Sequence, residues 1–130
     1  MSLTLSKLHH VAIICSDYAI SKHFYTTILG LEIIQETYRA ERQSYKLDLA
    51  INGLYVIELF SFPIPPERVT NPEARGLRHL SFLVEDIEHE IQKLDRYQVA
   101  HGPIRVDELT EKRFVFFNDP DQLPIELYER

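Results

Sequence analysis

Short apolar runs and helical stripes of apolar residues follow one another along the chain. The runs "HHVAIIC" (9–15) and "RHLSFLV" (78–84) have the length and composition of strands. Each is followed by an aspartate, Asp17 or Asp86, a residue favoured at the N-cap of a helix. This pattern predicts two copies of a strand that leads directly into a helix.

The residues after each aspartate keep the spacing of an amphipathic helix. In the first copy apolar residues recur every fourth position from Ile20 to Ile28, and Gly30 follows as a C-cap. The second copy has a similar stripe from Ile87 to Leu94. We expect both stripes to pack into the core.

Three further strands are predicted after the first helix. "LEIIQETYR" (31–39) and "SYKLDLAI" (44–51) precede Asn52-Gly53, a signal for a type I′ hairpin turn into "LYVIELF" (54–60). The second copy ends in the same way, with "KRFVFF" and "LPIELY" on either side of the turn "NDPDQ". Each copy therefore reads as a strand, a helix and about three strands.

The chain is an internal repeat. His10 aligns with His79 and Asp17 with Asp86, both 69 positions apart, and Glu58 aligns with Glu126 at 68 positions. We predict one domain over 1–130, with module one at about 5–62, a proline-rich linker at about 63–76, and module two at about 77–130. The fold class is α+β, built from two βαβββ modules.

Glu58 and Glu126 are carboxylates inside otherwise apolar strands. Both could point to solvent from half-exposed strands, but a desolvated carboxylate needs a partner or a metal ion. In each copy a histidine, His10 or His79, stands near the start of the first strand. Two imidazoles and two carboxylates suit a divalent first-row metal, so the repeat predicts these four as ligands. His9 is expected to point to the opposite face from His10.

The composition of the chain limits the classes of partner that we expect it to bind. Fourteen Lys and Arg against twenty Asp and Glu give a net charge of −6, which disfavours sequence-independent binding to nucleic acid or to an anionic membrane. There is one cysteine, no apolar segment of signal-peptide type at the start, and no apolar run of bilayer length. We expect a cytoplasmic protein that acts on a small molecule.

The pattern "HHVAI…D…FYTTILGL…VIEL…RHLSFLVED…FFNDPDQLPIELYE" resembles the vicinal oxygen chelate superfamily, the glyoxalase I-like metalloproteins, over essentially the whole chain. "YVIELFSFP", "PPER", "GLRHLSF" and "KRFVFFNDPD" resemble its YaeR-like group. The resemblance implies the curled mixed sheet shared by glyoxalases, bleomycin-resistance proteins and dihydroxybiphenyl dioxygenases. It also implies His10, Glu58, His79 and Glu126 as metal ligands, and often a homodimer.

The four-ligand set is similar to that of glyoxalase I, a lactoylglutathione lyase. This similarity implies proton abstraction beside a carbonyl with a metal-stabilised enediolate, Glu126 as base and Glu58 as the second candidate. Zinc or nickel would be the metal, with manganese, cobalt or iron as alternatives. A non-catalytic binding or resistance protein and a non-haem iron dioxygenase are the other functions open to this fold.

The substrate is less defined than the ligand set. Glyoxalase I usually has an arginine for glutathione on the first strand, where this chain has Ile14. Other cations could hold an anionic substrate, and Arg113, at the start of "RFVFF", is the first candidate. The other candidates are Arg39, Lys46, Arg105 and Lys112.

Overall fold

The two halves of the repeat form two compact units. A computed structural model describes all residues 1–130, and its units are 1–65 and 66–130. The boundary falls within the predicted proline-rich linker. No helix of the protein is long and apolar enough to span a bilayer.

The first unit contains four strands and one helix. Their bounds are β1 Val11–Cys15, α1 Tyr18–His23, β2 Glu32–Arg39, β3 Ser44–Ile51 and β4 Leu54–Ser61. A π-helical segment, Phe24–Ile28, continues α1, and a 3₁₀ turn, Ala40–Arg42, joins β2 to β3. The sheet order is β1-β4-β3-β2, with β1 parallel to β4 and the other pairs antiparallel.

The second unit repeats this topology. Its elements are β5 Leu80–Val84, α2 Ile87–Arg96, β6 Arg105–Val106, β7 Arg113–Asn118 and β8 Pro124–Glu129. The sheet order is β5-β8-β7-β6, again with one parallel pair, β5 with β8. Two βαβββ modules with mixed four-stranded sheets confirm the predicted α+β fold class.

The predicted caps and turn are present. Asp17 accepts a hydrogen bond from the Ile20 amide and Asp86 one from the His89 amide, both at 3.1 Å. Asn52 has φ of 49° and Gly53 of 78°, the two positive values that a type I′ turn requires. These local signals were read correctly because each depends on only a few neighbouring residues.

The stripe predicted for the first helix is partly wrong. Ile20 is 56% exposed, whereas Phe24 and the adjacent Tyr25 are both buried. The buried face runs instead through Ser21, Phe24 and Tyr25, at i, i+3 and i+4, so it is displaced from the predicted face. A π-helical turn follows, in which the Leu29 amide donates to the Phe24 carbonyl five residues earlier. In α2 the prediction holds, since Ile87 and Leu94 are buried.

Side chains alternate between the two faces of each sheet, and only one face forms the core. Leu47 and Leu49 on β3 and Ile57 and Leu59 on β4 are almost completely buried on one face. In the second unit Val115, Phe117, Ile125 and Leu127 take the same role on β7 and β8. Residues between them, including Glu58 and Glu126, therefore point to the other face of each sheet.

Candidate metal and substrate site

His10 and Glu58 lie together in the first unit. Glu58 is paired with Ala12 across the parallel β1–β4 ladder, and His10 lies just before β1. His10 Nε2 is 3.7 Å from Glu58 Oε1, longer than a normal hydrogen bond. The exposed fractions of the two side chains are 34% and 16%, so the pair is accessible but mostly covered.

The second oxygen of Glu58 has protein partners. Glu58 Oε2 lies 3.3 Å from Lys46 Nζ and accepts a hydrogen bond of 3.2 Å from the Tyr55 hydroxyl. The Tyr55 ring also stacks on His10, with centroids 4.9 Å apart. One oxygen of Glu58 is thus held by a cation and a hydroxyl, while the other faces the histidine.

Asp48 anchors this network from the neighbouring strand. It is paired with Glu58 across β3 and β4, and Lys46 Nζ lies 2.9 Å from both of its oxygens. Burial disfavours the ionised form of Asp48, but hydrogen bonds from Lys46 and Tyr55 outweigh it and lower the pKa of this carboxyl. The same hydrogen bond to Asp48 is the main cause that raises the pKa of Lys46.

The orientation predicted for His9 is wrong. His9 Nδ1 lies 2.8 Å from His10 Nδ1, and its ring is 5.2 Å from that of Tyr55. β1 begins only at Val11, so the alternation of a regular strand does not apply to residues 9 and 10. His9 therefore contacts the candidate ligand instead of pointing away from it.

His79 and Glu126 form the corresponding pair in the second unit. His79 Nε2 lies 3.9 Å from Glu126 Oε1, with exposed fractions of 27% and 13%. Neither side chain makes a hydrogen bond within the protein. His79 instead packs edge-on against Phe116, at a centroid distance of 5.1 Å.

The surroundings of the two glutamates differ at matched positions. Across the ladder, Glu58 faces Asp48 on β3, whereas Glu126 faces Phe116 on β7. Two residues before Asp48 the first unit has Lys46, and two residues before Phe116 the second unit has Phe114. Glu58 is consequently fixed by polar contacts, and Glu126 stands beside aromatic rings with no hydrogen bond to either oxygen.

A cavity of about 550 Å³ opens over the second pair. This volume is in the range of small-molecule sites. Its wall includes both predicted ligands, two phenylalanines and three arginines, namely His79, Glu126, Phe114, Phe116, Arg68, Arg78 and Arg105. The sequence indicates His79, Glu126 and Arg105 as candidates, but not the two phenylalanines, because their face depends on strand register.

Arg113 does not fit the role first suggested for it. Its guanidinium donates to both oxygens of Glu129 at 2.9 Å and to Glu88 at 3.1 Å. These contacts tie β7 to β8 and α2. The guanidinium is already neutralised by carboxylates, so Arg113 is a structural cation and not a free anion site.

A family model matches residues 7–127, the Glyoxalase/Bleomycin resistance protein/Dioxygenase superfamily. The chain belongs to this superfamily. It is 62% identical to the uncharacterized protein YwkD of Bacillus subtilis (strain 168), over 98% of this chain and 100% of YwkD. It is 59% identical to the uncharacterized protein YaeR of Escherichia coli (strain K12), over 98% and 99% of the two chains, in agreement with the YaeR-like resemblance.

Solved structures share the fold. The glyoxalase family protein from Enterococcus faecalis superposes with a TM-score of 0.87 at 45% identity, covering 95% of this chain and 97% of that one. A variant of the fosfomycin resistance protein FosX from Listeria monocytogenes, complexed with Mn(II) and 1S,2S-dihydroxypropylphosphonic acid, has a TM-score of 0.76 at 20% identity. It covers 98% of this chain and 94% of FosX. The FosX variant with this shared fold thus holds Mn(II) and a small organic ligand.

Each unit supplies two potential ligands. Neither unit by itself gathers three or more histidine, cysteine, aspartate or glutamate side chains into a metal-binding group.

Proposed function

We propose that this protein is a divalent-metal-dependent lyase or isomerase that moves a proton on a carbon beside a carbonyl. The observation that carries this proposal is the repeated imidazole–carboxylate pair. In both units an Nε2 and an Oε1 atom face each other at almost the same distance, 3.7 Å and 3.9 Å, without a hydrogen bond. Both histidines and both glutamates are partly exposed, so the pairs are accessible to a ligand in each unit.

The donor set fits a divalent ion of the first transition row. His10 and His79 would supply imidazole nitrogens, and Glu58 and Glu126 carboxylate oxygens, with no thiolate. All four side chains are partly accessible on the face of their sheet opposite the core. When bound, the metal would polarise the substrate oxygens and stabilise negative charge that develops on them.

Glu126 is our candidate for the general base. It accepts no hydrogen bond from the protein, so one of its oxygens is free to take a proton. Phe114 and Phe116 line the same cavity, and the Glu126 side chain beside them is only 13% exposed. Proton transfer by a positioned carboxylate in such a site is worth about 10²–10⁴ in rate.

Glu58 is the less suitable base of the two. Lys46 and the Tyr55 hydroxyl both contact Oε2 and hold it in place. A carboxylate with these partners is better suited to remain a fixed ligand through Oε1. The polar contacts of the first unit and the aromatic wall of the second thus support different roles for two equivalent glutamates.

The test is a proton-exchange assay on metal-loaded protein in D₂O. Methylglyoxal is combined with glutathione, cysteine or coenzyme A, and thioester formation and deuterium incorporation are followed by NMR. We expect turnover with at least one thiol and a loss of about 10² or more in Glu126→Gln. The matched variant Glu108→Gln changes an exposed carboxylate outside the cavity and should be fully active.

Two other outcomes would contradict parts of this proposal. Bound metal without turnover or exchange for any of the three adducts would contradict the lyase and favour a binding protein or an oxygenase. We also expect a homodimer in solution. A monomeric mass by light scattering with metal still bound would overturn that expectation.

A further inference from the structure

Arg105 is the one guanidinium in the second-unit cavity without a protein hydrogen-bond partner. Of the other two, Arg68 donates to Thr70 and to the carbonyls of Leu77 and Arg78. These bonds use its donors to hold the backbone that borders the cavity.

Arg78 is also engaged, because its guanidinium forms an ion pair with Glu73. Arg105, by contrast, has neither a carboxylate nor a carbonyl within hydrogen-bond reach. All the N–H donors of Arg105 are therefore available to a ligand, whereas its two neighbours already donate to protein groups.

An aromatic ring orients the Arg105 side chain. Arg105 pairs with Phe114 across β6 and β7, and its guanidinium carbon lies 5.1 Å from the centre of that ring. Stacking on a ring holds the planar group while its N–H donors stay free at the edge. Such a fork matches the two oxygens of a carboxylate or a phosphoryl group.

Strand register places Arg105 within reach of the same small molecule as Glu126. Phe114 pairs with Tyr128, and Phe116, the next residue on this face, pairs with Glu126. Arg105 and Glu126 therefore lie on the same face of the sheet. They are two residues apart along the strand direction, about 7 Å, and two strands apart across the sheet, about 10 Å. Both side chains extend toward the cavity and shorten that span.

We propose that Arg105 binds the anionic end of the substrate, a carboxylate or phosphoryl oxyanion, on the Phe114 ring. The reacting carbon would then lie toward His79 and Glu126. This assignment rests on the proposed function for its second part only, since the oxyanion site itself needs no metal. It selects a small substrate with an oxyanion a few bonds from its carbonyl.

The test is an NMR titration of ¹⁵N-labelled, chelator-treated protein with methylphosphonate and, separately, with acetate. Removing the metal limits anion binding to the protein's own cations. The variants are Arg105→Gln, Arg105→Lys and the control Arg96→Gln. Arg96 is an exposed residue of α2 that lies outside the cavity wall, and its substitution removes the same charge.

We expect the Kd of at least one probe to rise about tenfold or more in Arg105→Gln, several-fold in Arg105→Lys and not at all in Arg96→Gln. The probe that binds more tightly identifies the oxyanion as phosphoryl or carboxylate. Unchanged binding in Arg105→Gln, an equal loss in Arg96→Gln, or no binding of either probe by the wild type would overturn the proposal.

Failure here is distinguishable from failure of the proposed function. Metal content of wild type and Arg105→Gln, measured in parallel, should be equal because Arg105 is not a ligand. An intact metal site with no oxyanion binding would reject the role of Arg105 and leave the proton-transfer proposal standing. Oxyanion binding in a protein that takes up no metal would do the reverse.

Discussion

Tyr55 stacks on His10, with ring centroids 4.9 Å apart and planes 25° from parallel. Its hydroxyl oxygen lies 2.7 Å from Asp48 Oδ1 and 3.2 Å from Glu58 Oε2, so the two carboxylates share its single proton. One side chain therefore fixes the position of a candidate ligand through its ring and of a second through its hydroxyl. Partners of this kind orient metal ligands in proteins.

Tyr55→Phe separates these two contributions. The ring remains on His10, but Asp48 and Glu58 lose a donor, so we expect the free energy of unfolding to fall by about 1–3 kcal/mol. Metal affinity should fall about tenfold or more. Urea denaturation and calorimetric metal titration measure the two effects, and Tyr97→Phe, at an exposed tyrosine, should change neither. Equal metal affinity in Tyr55→Phe and wild type would reject the positioning role.

Acid stability should depend on Glu129. Hydrogen bonds from Arg113, and then from the Ile87 amide, lower the pKa of Glu129 to about 2. Because this pKa is depressed in the folded protein, its stabilisation is complete above the ordinary carboxyl pKa, near 4.5, and is lost as pH falls toward 2. Glu129→Gln should be less stable at pH 7, with the difference shrinking between pH 4.5 and pH 2. Urea denaturation across that range measures it, and a constant difference would contradict the assignment.

The Asn52-Gly53 turn offers a test of backbone conformation. Gly53 has φ of 78° and open space where a Cβ would lie, so an added methyl group meets only the conformational penalty. We expect Gly53→Ala to lower the free energy of unfolding by about 1–2 kcal/mol. The companion Asn52→Gly, at φ of 49°, should stay within about 0.5 kcal/mol of wild type. Thermal or urea denaturation of both variants checks the turn, and equal stability of the two would argue against type I′ geometry.

Local signals and the repeat made much of the fold predictable. Asp17, Asp86 and Asn52-Gly53 each act through neighbours in the chain, and the matched positions of His10 and His79 required only a shared register. The burial of Ser21 instead of Ile20 and the π-helical turn after α1 were not predictable, because the local pattern of apolar residues indicates neither.

The parts of the site that escaped prediction depend on pairing between strands. Arg113 and Glu129 are 16 residues apart and meet only because β7 lies beside β8. The same pairing puts Phe116 opposite Glu126, whereas Asp48 stands opposite Glu58. The sequence indicates two equivalent glutamates. Their different neighbours follow from the pairing of β3 with β4 and of β7 with β8, which the sequence does not give.

The most direct test of the central claim is elemental analysis of protein purified without chelator or affinity tag. The wild type is compared with Glu58→Gln/Glu126→Gln and with a control, Glu32→Gln/Glu108→Gln, which changes one exposed carboxylate in each unit. We predict near-stoichiometric zinc, nickel, manganese, cobalt or iron in wild type and control, and its loss from the first variant with folding preserved by circular dichroism. Equal metal content in all three proteins, or none in any of them, would contradict the account.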